Sequence, residues 1–411
     1  MKKCSVQKSL VAMAVAASGL VVGAAQAEVK VGFLGGFTGP IETLTPPVYD
    51  AAQLAVQHVN DQGGILGGQT LAMPSADTTC ADASAASNAA DRMVNTESVT
   101  AIVGALCTGA TIAAANNAAI PGGVVMVSPA STAPAVSELE DNDLVFRTVP
   151  SDAFQGEALA RMLLAKGIDE VVVTYVNNDY GRGLADAFVA TYEAEGGAVA
   201  ENLAHEDNRA DYRSELGSLS ATGVSDLVVL AYGDTSGQTV VRQAWESGMF
   251  TRFIGADGMV ISGLLDGVGA DVLEGNFIAT RPGNPDTPGT ALFVELAEAA
   301  GISHEAVFAG QGYDAAFLLA LAIEQNGSAE REGLSAALRS VASAPGEVIL
   351  PGEWEKAVEL IAAGTEINYE GASGSHEFDE NGDVPGIVEE MSASSADCLL
   401  ITLGSRSGSG E

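Results

Sequence analysis

The stretch VTAIVGALCTGATIAAANNAAIPGGVVMVSPAST, residues 99–132, decides the fold. Val99–Gly104 is a short apolar run and Cys107–Thr111 a polar turn. Ala110–Ala119 is Ala-rich at helical spacing, and Val124–Ser128 is a second apolar run leading into another polar turn, Ser128–Thr132. Neither run alternates apolar with polar residues, so both faces of each strand are covered, as in a parallel sheet. Strand, helix and parallel strand together make one right-handed crossover unit.

The unit repeats on both sides. Val29–Leu34 ends in Gly35-Gly36, and Pro46–Gln62 follows with Val48, Ala51, Ala52, Ala55 and Val59 on one helical face before Gly63-Gly64 stops it. Further strand-like runs are Val171–Val176, Leu227–Tyr232 and Phe253–Ala256. Helical stretches fall at Asp82–Val94, Phe154–Lys166, Gly183–Glu195, Tyr212–Ala221, Gly237–Ser247, Thr290–Ala300 and Ala306–Gln325. This succession predicts an α/β architecture. At roughly 150 residues per domain the chain of 411 residues makes two or three domains. One continuous sheet would need too many strands, so two sheets are predicted.

Candidate breaks lie at Phe146–Asp152, an extended segment that reaches Pro150 before an N-cap, and at the Pro- and Gly-containing stretches Phe277–Pro288 and Tyr369–Pro385. Three breaks in a two-sheet chain permit a bilobed molecule with discontinuous lobes. The expected lobes are 28–148 plus 282–370, and 149–281 plus 371–411. Ligands of open parallel sheets sit in loops at the strand carboxyl ends, here where the two lobes meet.

Composition narrows the function. Eighteen Lys and Arg face 54 Asp and Glu, a net charge of −36, while 47% of residues are hydrophobic. Disorder is excluded by the apolar content, and nucleic-acid or anionic-membrane binding is disfavoured by the missing basic patches. Lys2, Lys3 and Lys8, the apolar run Leu10–Ala25 and the ending Ala25-Gln26-Ala27 predict a secretory signal over residues 1–27, cleaved after Ala27. The mature chain is therefore expected in the periplasm. Of its cysteines Cys80, Cys107 and Cys398, an oxidising compartment favours one pair, taken here as Cys80–Cys107, with Cys398 a buried apolar residue.

Catalytic motifs are missing. Gly32–Gly39 does not fit G-x-G-x-x-G, and no phosphate-binding loop, nucleophile elbow, H-E-x-x-H or C-x-x-C occurs. Asp379, Asn381, Asp383 and Glu390 echo calcium-loop positions, but Val384 stands where that loop needs glycine, so a turn is expected. No catalytic residue, metal or cofactor is nominated. The polar loops after strands say more. Thr108 and Thr111, and Ser128, Ser131 and Thr132, set hydroxyls beside backbone N–H groups at helix starts, suited to a carboxylate or to ordinary capping. Tyr180 and Asp257 follow strands of the second half, where Asp257 could accept from an ammonium and Tyr180 form a wall.

These residues resemble a family. Val29–Leu34 with Thr38-Gly39-Pro40, Asn60–Ile65, the Cys80/Cys107 pair, Ser128-Pro129-Ala130, Asp179-Tyr180-Gly181 and Phe378–Gly382 are similar, in order, to the branched-chain amino acid ABC-transporter binding proteins, the leucine/isoleucine/valine-binding protein family. The resemblance implies a type I periplasmic binding fold: two parallel-sheet lobes, three hinge crossovers and a cleft closing on an amino acid. It assigns the ligand carboxylate to Thr108 and Thr132, with Ser131 between Thr132 and Ala130, and the ammonium to the Ala130 carbonyl and Asp257. Tyr180 and Tyr232 become aromatic walls. Asp257 stands where the family has a longer glutamate, and Leu44 falls near a wall aromatic, so ligand size and side-chain preference stay open. The resemblance further implies a monomer that meets a membrane permease and needs no cofactor. The rival readings are a ligand sensor of the same fold, a binder of an amide or aromatic acid, and an exported enzyme.

Overall fold

Apolar strands covered on both faces need helices on either side, and the chain supplies them. The computed structural model describes residues 28–394 and the backbone of 399–408; the signal and Cys398 lie outside these described residues. The first sheet comprises β1 (Glu28–Gly35), β2 (Thr70–Ala72), β3 (Ser75–Asp77), β4 (Ala101–Gly104), β5 (Val125–Ser128) and β6 (Val145–Arg147), all parallel, in the order β2-β1-β4-β5-β6 with β3 also on β1. The second begins with β7 (Glu170–Val176), β8 (Ala198–His205), β9 (Asp226–Leu230), β10 (Arg252–Gly255) and β11 (Phe277–Gly283). A small sheet of β12 (Glu347–Ile349), β13 (Ile367–Gly371) and β14 (Gly374–Ser375) follows, before β15 (Ile387–Ser394) and β16 (Leu399–Gly408) complete the second sheet in the order β16-β15-β11-β10-β9-β7-β8.

The chain thus passes between the sheets three times, as a two-lobed α/β fold requires. Two details depart from the sequence reading. Phe277–Gly283 is a strand and not a break. Pro282 is tolerated because β10 pairs only as far as Ala279, leaving one edge of β11 without a ladder to interrupt. β15 and β16 run antiparallel, since the chain re-enters the sheet from the opposite end after its third crossing.

Register puts the site together. Val31 lies beside Ala101 and Ala101 beside Val125, so β1, β4 and β5 finish level and their following loops are neighbours. Helix Ala309–Asn326 is buried along Ala309–Ile323, packed on β4 and β5 of the first sheet beside helix Thr45–Asp61. Gly312 lets that helix approach: a Cβ there would sit 2.7 Å from the Val48 carbonyl oxygen.

One buried cation ties the crossings to the site. Arg147, at the end of β6, donates from Nη1 to the carbonyls of Ser131, Thr132 and Ala133 at 2.9–3.3 Å. From Nε and Nη2 it pairs with the Asp383 carboxylate, Nη2 lying 2.7 Å from Oδ2, and Nη2 also reaches Ser137 Oγ. Asp383 belongs to the turn expected at 379–383, where the Asp379 carboxylate accepts the N–H groups of Asn381 and Asp383. Phe378 of the same segment packs on Phe146, with ring centroids 5.0 Å apart. Arg147→Ala should lower the unfolding free energy by about 3–5 kcal/mol, the usual result of removing one partner of a buried pair. Urea denaturation measures it, and a loss under about 1 kcal/mol would show that the guanidinium organises nothing.

Candidate functional site

The strand ends of both sheets converge on one cavity. β4 delivers Leu106, Cys107 and Thr108, and β5 delivers Ala130. Across the cleft β7 delivers Tyr180, β9 delivers Tyr232 and β10 delivers Asp257 and Gly258. Ile41, Leu44 and Phe308 finish the wall, leaving about 20 Å³ of interior, little more than one water needs. Outside it the lobes touch directly: the Thr43 N–H and hydroxyl each donate to the Asp234 carboxylate at 2.8 Å.

Local sequence fixes each group. Cys107 is disulfide-bonded to Cys80 (Cα–Cα 5.6 Å), pinning the loop just before Thr108, the first residue of helix Thr108–Ala114. Tyr180 opens helix Asp179–Ala194, whose N-terminus Asn178 caps by accepting the Gly181 N–H. Its hydroxyl donates to Asp257 Oδ1 (3.0 Å) and accepts the Gly258 N–H (3.1 Å), while its ring stacks on Tyr232 at 5.1 Å. Position 258 must be glycine, because a Cβ would meet the Tyr180 hydroxyl at 2.8 Å and the Ala231 carbonyl oxygen at 2.6 Å.

The structure brings Thr108, Ala130, Tyr180, Tyr232 and Asp257 onto this cavity. Ser131 and Thr132 are adjacent to it without lining it. The Ser131 hydroxyl is held by the Thr111 hydroxyl (2.7 Å) and the Ala105 carbonyl (3.2 Å). Thr132 donates its hydroxyl to Asp152 Oδ2 at 2.8 Å, so that group serves a carboxylate of the protein itself.

Asp152 and Gln155 are the residues that motif reading passed over. Asp152 sits one position after the capping Ser151 and looks in sequence like an ordinary acid at a helix start. Both side chains are fully buried, and Asp152 Oδ1 and Gln155 Oε1 have no hydrogen-bond partner. Gln155 Nε2 donates to Asp257 Oδ1 at 3.0 Å. Burial pushes both acids up: Asp152 rises well above the usual carboxylate range, helped by the neighbouring charge of Asp257, and Asp257 rises to about 6 although Tyr180 and Gln155 hold it down. Asp257 lines the cavity and, with Gln155 hydrogen-bonded to it, makes that side attractive to a cation with N–H donors.

Residues 47–389 match the model of the receptor family ligand binding region. The chain belongs to that family. It is 30% identical over 369 residues to the chemotactic signal transduction system substrate-binding protein BasB of Halobacterium salinarum, covering 84% of this chain and 82% of the relative. It is 28% identical over 316 residues to the leucine-, isoleucine-, valine-, threonine- and alanine-binding protein of Pseudomonas aeruginosa, covering 76% and 82%. A leucine-binding protein from Thermotoga maritima superposes with a TM-score of 0.75 at 26% identity, covering 93% of this chain and 98% of that one. The fold is therefore the type I periplasmic binding fold of branched-chain amino acid substrate-binding proteins, and in this chain it carries the disulfide Cys80–Cys107.

For this binding protein the buried acid carries a stability cost. A carboxyl raised on folding holds a proton that the unfolded chain releases above pH ~4, so its contribution to stability falls as pH rises through about 6. Asp257→Asn should stabilise the ligand-free protein by up to about 3 kcal/mol at pH 7.5 and leave it unchanged near pH ~4. Thermal unfolding at the two pH values checks this; equal effects at both would sink the assignment.

Proposed function

We propose that this chain is an exported solute-binding protein of an ABC importer that captures one hydrophobic amino acid between its lobes. The observation that carries the reading is the polarity of the cavity. Asp257, backed by Asp152 and Gln155, stands on one side, and the Thr108 hydroxyl and Ala130 on the other. A zwitterion satisfies such a site and a neutral solute leaves acids unpaired. The names of the relatives, which include leucine-binding and leucine-, isoleucine- and valine-binding proteins, support the same ligand class.

The ligand first meets the lobe carrying Thr108 and Ala130. Rotation about the three crossings brings Tyr180, Tyr232 and Asp257 over it, expels water and strengthens each charge-assisted hydrogen bond. An ammonium arriving beside Asp257 supplies the compensating positive charge that this buried carboxyl lacks. The Thr43–Asp234 bridge closes the rim. Ligand shifts the population toward the closed form, which a membrane permease recognises. The Halobacterium salinarum relative, named for chemotactic signalling, favours a second reading in which the closed form is read by a membrane receptor.

Calorimetry with leucine, leucinamide and 4-methylpentanoate tests the proposal. Leucine should bind tightest, and each analogue at least about tenfold more weakly, the equivalent of one lost charged hydrogen bond. An amide as good as leucine removes the carboxylate pole; an acid as good removes the ammonium pole. Loss of leucine uptake on deletion of the gene, with taxis intact, separates import from sensing.

A further inference from the structure

Beside the ligand cavity lies a second, larger one. It holds about 350 Å³ and is walled mainly by apolar side chains, among them Leu44, Pro47, Val260, Ile261, Leu265 and Val307. Three loops build both cavities: Leu44 lines each of them, Asp257-Gly258 of the first leads to Val260-Ile261 of the second, and Phe308 of the first follows Val307 of the second. They are two chambers of one cleft, with Leu44 in the shared wall. Thr43, which bridges to Asp234, lies in the wall of the outer chamber, so this chamber too is formed by both lobes. Its charged members are Arg281, engaged by the Glu305 carbonyl (2.8 Å) and the Glu389 carboxylate (3.3 Å), and the exposed Glu305, so the space is not built to trap an anion.

We infer that the outer chamber is a subsite for the far end of the ligand's side chain. The preferred ligand is then a 2-amino acid with a long unbranched aliphatic tail, longer than those of valine, leucine and isoleucine. The inner cavity leaves about 20 Å³, so room beyond the dipolar head lies past Leu44. A flexible leucine side chain yields there by changing rotamer where a rigid aromatic would block the passage. The inference rests on the amino-acid reading of the inner site.

Isothermal calorimetry with alanine, norvaline, norleucine, 2-aminoheptanoate and 2-aminooctanoate on the full chain provides the test. Affinity should go on rising past norleucine, by about fourfold per methylene buried. Leu265→Trp, which fills the outer chamber alone, should flatten the series beyond norvaline and leave alanine binding unchanged. An affinity that peaks at norvaline or norleucine in the wild type overturns the subsite and leaves the amino-acid reading intact. A Leu265→Trp protein that binds the long members as well as the wild type does also overturns it. Absence of binding across the whole series overturns both. The wild-type series stands by itself if the variant fails to fold.

Discussion

A single guanidinium holds together parts of the chain that sequence keeps far apart. Arg147 has five N–H donors in a rigid fork, and all are directed to oxygen: three backbone carbonyls of the loop 131–133, one serine hydroxyl and the carboxylate of Asp383. A lysine offers three donors on a flexible stem and cannot reproduce the fork. The loop it grips is the one that presents Ala130 and sends the Thr132 hydroxyl to Asp152. Asp383 comes from the last crossing, and Arg147 itself from the start of the first. Hinge and binding loop therefore share one buried charge, and neither can be redrawn without the other.

The site is built at the expense of the free protein. Two carboxyls enter a dry pocket where their own neighbours only partly compensate them, and two acceptor oxygens are left without donors. In a core selected for stability alone such groups are rare. Here Gln155 is hydrogen-bonded to Asp257, the acid that lines the cavity. The same economy explains why Tyr180 is both donor and acceptor: its hydroxyl fixes the direction of Asp257 and leaves the second carboxylate oxygen for other partners.

Much of this was legible in the amino-acid sequence, because strand runs and helix faces are local signals. The runs at Val171–Val176 and Val124–Ser128 coincide closely with β7 and β5, and the alternation of strands with helices leads directly to two sheets. Phe277–Gly283 misled because Pro and Gly signal a turn unless the edge beside them is known to be unpaired, and that is a tertiary fact. Asp257, Tyr180 and Thr108 were readable from their place after strands together with a family resemblance. Asp152 and Gln155 were not: their meaning depends on what faces them across 102 residues of chain, the separation of Gln155 from Asp257. Thr132 shows the converse. The resemblance gives its hydroxyl to a ligand, whereas in the structure that hydroxyl donates to the protein's own buried Asp152.

The bridge between Thr43 and Asp234 has a consequence for selectivity. It spans the cleft outside the inner cavity, with Thr43 also in the wall of the outer chamber. Its free energy therefore belongs to closure and is the same whichever solute is enclosed. Strengthening or weakening it multiplies every dissociation constant by a common factor and leaves their ratios alone. Discrimination among solutes that end within the inner cavity is confined to that cavity's lining, while overall sensitivity can be set at the rim through Asp234, which lines neither chamber.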